Sequence, residues 1–375
     1  MWSLMSDNAI TKEDRLVLSQ FVLDADRLTA SSQVKKFEQA WSEWQGCKYS
    51  VFVNSGSSAN LILVDALADL YDRGKWVCQS TTWSTNVSPI IQLGLGLQLC
   101  DISLDNLGPD LSVLESIFRS ENISFLFLTH LIGLPAVSQQ LLDLCSIYGV
   151  RLVEDCCESH GATYRGNKVG NFGEASTFSF YYGHHMTTIE GGMICTDNYD
   201  LYCKLLLRRS HGLLRELPKD NQQIVPDVNP LFTFVEPGYN VRGTEINAKL
   251  GLCQLPRLDE HIDQRNQNLR SFLSKLDGRY KTDYKLEGVS SFCLPIFCIN
   301  TSLRDKVTDV LKSNNIEFRP LIGGNLYKHP FMKSINQFQY DSNSEIAHNN
   351  CVYVGNHQEV TLDDVDFLAG LLNKI

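Results

Sequence analysis

From about residue 48 the chain alternates short apolar runs with longer stretches whose apolar positions recur every three to four residues. Lys48 to Asn54 (KYSVFVN) has the length and apolar content of a buried strand. Ser57 to Arg73 is expected to be a helix, with Leu61, Val64, Leu67, Leu70 and Tyr71 on one face. Strands are expected at Trp76–Gln79, at Leu97–Ile102, from Ser124 (SFLFLTHL) and from Arg151 (RLVEDCC), with helices at Leu111–Phe118 and Gln139–Tyr148. Two more strands, Ser176–Tyr181 and Gly192–Thr196, precede a helix from about Asp200 to His211. This alternation is the signature of an α/β fold, a sheet flanked by helices.

After Glu236-Pro-Gly a helical region leads into a second unit, with strands near Ser291–Ile299 and Ile316–Pro320 around a helix at Leu303–Lys312. A chain of 375 residues exceeds what one core ordinarily supports. The expected division is a large N-terminal unit with its leading arm, residues 1–250, and a smaller C-terminal unit, residues 251–375.

Charge narrows the partners. With 33 basic and 43 acidic residues the net charge is -10, which disfavours nonspecific binding to nucleic acid or to an anionic membrane. An anionic substrate must then be held by a local pocket. The first residues, MWSLMSDNAITKEDR, lack a signal-peptide core, and the most apolar stretch, Phe125 to Val137, is too short to span a bilayer. A cytoplasmic location is expected. Twelve scattered cysteines read as reduced thiols; neither adjacent Cys156 and Cys157 nor the spaced pair Cys293 and Cys298 has zinc-site spacing, so no metal is expected.

Three local features carry chemistry. The turn N-S-G-S-S-A-N, Asn54 to Asn60, places a glycine and hydroxyls where the first helical N–H groups lack internal partners. Taken alone it is more often an ordinary serine-capped helix. Asp155, in VEDCCES, stands where an apolar strand ends, the side on which α/β sheets bind ligands. A carboxylate there can pair with a protonated ring nitrogen or simply cap a loop. Trp83, in QSTTWSTN, can stack on an aromatic ligand or fill the core.

In their order along the chain, with the segment FSFYYGHHMTTIEGG from Phe178 to Gly192, these features resemble the DegT/DnrJ/EryC1/StrS family of sugar aminotransferases. The resemblance runs from about Thr29 to Val360. It implies an aspartate aminotransferase-like large domain (fold type I) with a mixed sheet, a smaller α+β domain, and pyridoxal 5'-phosphate or its amine form as cofactor. Carried over by position, it implies that Gly56, Ser57, Ser58 and Ser179 hold the phosphate, that Trp83 stacks on the ring, and that Asp155 pairs with the ring nitrogen. Glu158 falls where many members have glutamine near the ring hydroxyl. Asn240, in PGYNVRGTE, falls where the family supplies a phosphate ligand from the neighbouring subunit, which implies a homodimer.

One position departs. Five residues after Ser179, where the family has its cofactor-binding lysine, stands His184. An imidazole cannot make that covalent link, but its ordinary pKa of about 6.5 suits it to moving protons near neutrality. A lysine-lacking branch of the family, the sugar 3-dehydratases, has histidine here, and SHGLLRELPK, FVEPGYNVR, EFRPLIGGN and VGNHQ match that branch, although Leu213 stands where tryptophan is expected. The implied reaction is removal of the C3 oxygen from a nucleotide-linked 4-keto-6-deoxy sugar, with L-glutamate as amino donor and His184 as base and acid. His211 and Arg319 are expected to meet the anionic substrates. A second branch uses an iron-sulfur cluster and a C-x-C pair; the late cysteines Cys253, Cys293, Cys298 and Cys351 contain none, so no cluster is expected. Two other classes stay open, an ordinary sugar aminotransferase and a noncatalytic cofactor-binding regulator.

Overall fold

The computed structural model describes residues 2–223, 225–333 and 342–375. In its first half the apolar runs become strands β1 (Tyr49–Val53), β2 (Lys75–Gln79), β3 (Leu97–Cys100), β4 (Ile123–Thr129) and β5 (Arg151–Asp155). A two-stranded ribbon follows, β6 (Thr163–Tyr164) and β7 (Asn167–Lys168), then β8 (Ala175–Ser179) and β9 (Gly192–Thr196). Seven of these form one mixed sheet in the order β1-β9-β8-β5-β4-β2-β3.

Strands β3, β2, β4, β5 and β8 run parallel, while β9 is antiparallel to both β8 and β1. Two reversals restore direction, so β1 points the same way as β8. The C-terminal ends of β1, β5 and β8 therefore open on one edge of the sheet.

Both faces are covered, as a largely parallel sheet requires. Helices α1 (Lys12–Asp24), α2 (Ser32–Gln45), α3 (Gly56–Leu70), α4 (Ser84–Gln92), α5 (Leu111–Ser120), α6 (Gln139–Tyr148) and α7 (Tyr199–Arg209) belong to this half. Successive strand residues alternate faces. Phe125 and Phe127 pack with Ile62 and Leu67 of α3 and Leu205 of α7, whereas Leu126 and Leu128 pack with Phe37 and Trp41 of α2 and Leu141 of α6.

The remainder contributes α8 (Glu245–Gln254), α9 (Leu258–Lys275), β10 (Cys293–Phe297), α10 (Thr301–Ser313), β11 (Phe318–Pro320), α11 (Asn343–Asn350), β12 (Cys351–Gly355) and α12 (Leu362–Leu372). Its sheet, β10-β12-β11, is antiparallel and sets Tyr353 between Pro295 and Arg319. The expected division near residue 250 falls inside α8, whose Glu245 accepts hydrogen bonds from the N–H groups of Ser31, Gln33 and Val34.

The two sheets meet at a stitched seam. The Ser290 and Phe292 amides donate to the carbonyls of Gly133 and Ile132. Gly133 has φ +89, and a Cβ there would strike the Ser290 carbonyl oxygen, so the seam admits only glycine at this point. Among the described residues no helix is long and apolar enough to cross a membrane.

Candidate active site

At the shared strand edge Gly56, Ser57, Trp83, Asp155, Glu158, Ser179, His184 and Arg319 line one cavity of about 510 Å³. Leu4 and Met5 of the N-terminal arm and Phe292, Cys293 and Tyr353 of the second unit close its other sides. A larger open groove, about 1440 Å³, carries none of the expected site residues.

The first wall is the start of α3. Ser55 caps it, its hydroxyl accepting from the Ser58 amide at 3.0 Å, while its carbonyl takes the Ala59 amide at 3.0 Å. Helix geometry leaves the Gly56 and Ser57 amides without intrahelical partners at the positive end of the helix dipole, an arrangement that suits phosphate. A Cβ on Gly56 would lie 2.7 Å from Ser179 Cβ and 3.3 Å from Cys157 Sγ, so glycine is what lets the helix start sit against the end of β8. Ser58 stands behind this wall, its hydroxyl accepting from that of Ser55 at 3.0 Å.

The second wall is acidic. Buried Asp155 accepts from the side-chain amides of Asn86 at 2.8 Å and Asn60 at 3.1 Å, and from the Cys157 N–H at 2.9 Å. Glu158 accepts from the Ile132 N–H at 2.8 Å. Loss of solvent pushes its carboxyl up to about 8 against that hydrogen bond, and the charge of Asp155 pushes the same way. At pH 7 Glu158 is therefore mostly neutral and offers a proton, as a glutamine side chain would. Trp83, at the start of α4, leaves 54% of its surface exposed toward the cavity it lines.

The third wall separates the histidine pair. His184 lines the cavity, and its Nδ1 is buried without a partner among the described residues. Desolvation, and after it the charge of Arg265, lowers its pKa to about 3, so the imidazole is neutral. His185 turns inward, its Nε2 3.1 Å from Ser290 Oγ and 3.2 Å from the Ser290 carbonyl. Ser290 Oγ donates to the His160 carbonyl at 2.6 Å, so the imidazole Nε2–H is the donor toward Ser290. No lysine lines the cavity among the described residues.

Two expected residues stand elsewhere. His211 and Asn240 are exposed, outside the lining, on neighbouring segments joined by the Ser210–Asn240 bridge and by the His211 amide donating to Tyr239 at 2.6 Å. Among the described residues the one cluster with the side chains for a metal is His130, Glu154 and Cys156. Glu154 already accepts from His130 and from the amides of Gly170, Phe172 and Gly173, a set that ties β5 to the following loop. The late cysteines form no such cluster among the described residues. Sequence reasoning missed Asn60 and Asn86 as clamps on Asp155, although both sit inside motifs it singled out. It also missed Phe292 and Arg265, which reach the site only through the seam.

The raised carboxyl of Glu158 has a measurable sign. Between pH 4.5 and 8 the folded chain keeps a proton that the unfolded chain has lost, so its stabilising contribution fades as pH rises. Glu158→Gln is expected to gain stability over the parent through that window, by at most about 1.4 kcal/mol per pH unit. Urea midpoints measured from pH 4.5 to 8 check this; a constant difference would show that Glu158 is ionised throughout.

The DegT/DnrJ/EryC1/StrS aminotransferase family model matches residues 9–372. GDP-4-keto-6-deoxy-D-mannose 3-dehydratase from Escherichia coli O55:H7 is 33% identical over 371 residues, covering 94% of this chain and 95% of its own. The enzyme of the same name from Yersinia pseudotuberculosis is 32% identical, covering 96% of each. A solved GDP-4-keto-6-deoxymannose-3-dehydratase with a trapped PLP-glutamate geminal diamine superposes with a TM-score of 0.92 at 31% identity, over 99% of this chain and 100% of that one. With its walls, its strand order and these matches in agreement, the chain belongs to the DegT/DnrJ/EryC1/StrS aminotransferase family.

Proposed function

We propose that the chain is a pyridoxal phosphate-dependent nucleotide-sugar 3-dehydratase acting on a nucleotide-linked 4-keto-6-deoxyhexose, GDP-4-keto-6-deoxymannose first among candidates, with L-glutamate as amino donor. The observation that carries this reading is a histidine, and no lysine, in the cavity wall at the family's lysine position. The relatives named as 3-dehydratases support the reaction class, and the relative solved with a PLP-glutamate adduct supports glutamate as donor.

The walls fit the cofactor. The Gly56 and Ser57 amides with the Ser179 hydroxyl suit its phosphate, while Ser58 braces the helix start from behind; the Trp83 indole suits its ring, Asp155 a protonated ring nitrogen, and neutral Glu158 the ring oxygen. When bound, the cofactor supplies an amine for the C4 ketone and an electron sink that allows the C3 hydroxyl to leave.

The chain's own part is proton traffic. Asp155, held by two asparagines and an amide, is fixed as an acceptor. His184, neutral in the free site, takes the proton that must leave carbon. Incoming phosphate and diphosphate charges raise its affinity for that proton. Once formed, an imidazolium in such a desolvated wall is a strong acid and hands its proton to the departing hydroxide. Arg319 on β11, paired with Tyr353 of β12, supplies the one arginine of the lining among the described residues for the glutamate carboxylate or the diphosphate.

The overall balance is keto sugar plus glutamate giving deoxy keto sugar, 2-oxoglutarate and ammonia. Incubation with pyridoxal phosphate, glutamate and GDP-, CDP- and dTDP-4-keto-6-deoxy sugars, followed by mass spectrometry, tests it. The expected product has lost one oxygen and appears with equal amounts of ammonia and 2-oxoglutarate. A product that keeps the amino group would make the chain an aminotransferase, and silence across the panel would favour a regulator.

A homodimer belongs to the same proposal. Leu231, Phe232 and Phe234 expose 58–61% of their surface just ahead of Asn240, which lies outside its own chain's cavity. An apolar patch beside a displaced site residue fits a second copy. Light scattering is expected to give twice the chain mass; a monomer at micromolar concentration would remove Asn240 from the site. With all twelve cysteines free, a cytoplasmic location is proposed.

A further inference from the structure

Arg265, on α9, is the least expected charge near the cavity. It is 3% exposed, donating from Nη1 to the Phe292 carbonyl at 3.1 Å and from Nη2 to the His184 carbonyl at 3.3 Å. Its Nε has no partner among the described residues, and apart from the two carbonyls the one nearby group that could favour its charge is Cys293, whose thiol burial holds protonated. Among the described residues no carboxylate pairs with it. Burying an arginine this way is costly, and an apolar side chain of similar volume would ordinarily serve packing better.

The histidines gather around this charge. The His160 ring lies 6.1 Å from that of His184 and 5.2 Å from that of His185, and Arg265 disfavours a proton on all three. His184 faces Phe292 of the seam at 5.4 Å and Tyr181 of its own loop at 6.2 Å. Across the cavity stand Asp155, Glu158, Glu190, Cys157, Cys293, Arg319 and Tyr353. Asp155 is occupied by its asparagines and the Cys157 amide, and Glu158 is mostly neutral. Arg265 is the charge that acts on His184.

We propose that Arg265 is a positioning residue for His184: its guanidinium fixes the His184 and Phe292 carbonyls across the seam, and its uncompensated charge adds to burial in holding the imidazole free of a proton until substrate arrives. This rests on the reading of His184 as the proton carrier. A purely structural tie would need only the two hydrogen bonds. The additional role needs the charge, and that difference separates the two.

The test begins with the cofactor-free protein, so its outcome does not depend on whether dehydration occurs. Histidine-labelled protein is titrated by NMR, with His184 identified by comparison with His184→Asn. The parent His184 is expected to stay neutral down to at least about pH 5, well below the free value of about 6.5. In Arg265→Met its midpoint is expected to rise by about one pH unit, whereas Arg265→Lys, which keeps the charge, stays near the parent. In the loaded enzyme Arg265→Met is expected to lower kcat and to add an acid limb to its pH profile, with KM nearly unchanged. A parent midpoint near 6.5, an unmoved midpoint in Arg265→Met, or a lysine variant that behaves as the methionine one each overturns the proposal. Should Arg265→Met fail to fold, the parent midpoint and the lysine variant still decide it.

Discussion

The site depends on one topological constraint: the C-terminal ends of β1, β5 and β8 reach the same edge of one sheet because β9 runs antiparallel between two strands that share a direction. That edge brings the start of α3, the carboxylate of Asp155 and the hydroxyl of Ser179 together from positions spread over more than a hundred residues. Gly56 then sets the spacing, since any larger residue would push the helix amides away from Ser179. In the proposed function, phosphate recognition follows from backbone placement more than from any charged side chain.

Around that frame, partial loss of solvent sorts the ionisable groups into different roles. Asp155 has three donors and works as an acceptor. Glu158, a few residues further on, has one amide and a neighbouring negative charge, and so is mostly a neutral donor at pH 7. His184 is stripped of its proton by the same loss of solvent and by Arg265. Two carboxyls and an imidazole thus acquire three distinct tasks from their surroundings, the pattern by which one fold runs acid and base chemistry at one pH.

Much of this was legible in the sequence because the relevant signals are local. The runs at Tyr49–Val53, Ile123–Thr129 and Arg151–Asp155 are continuous and apolar, as strands covered on both faces must be. The motif around Gly56 and the missing lysine at His184 are positional facts that need no structure. Boundaries were less clear: the run from Leu97 pairs only to Cys100, as Ile102 turns away to bridge Pro109, and β8 stops at Ser179 because the chain then enters the loop carrying His184. Strand β12, the centre of the small sheet, is five residues long and gave no periodic signal. Long-range convergence was hidden altogether. Asn60 and Asn86 were in view within their motifs, but only the strand order shows that both reach Asp155, and nothing near Arg265 hints that α9 touches the carbonyl of His184.

The central claim is that this site has no amine with which to hold its cofactor, and so leaves proton movement to an imidazole. Reduction of the pyridoxal phosphate-loaded protein with borohydride, followed by intact mass measurement under denaturing conditions, tests this most directly. The account predicts an unchanged mass for the parent chain and the mass of one reduced cofactor added to His184→Lys. A reduced cofactor retained on the parent chain would place a lysine in the site and contradict the account.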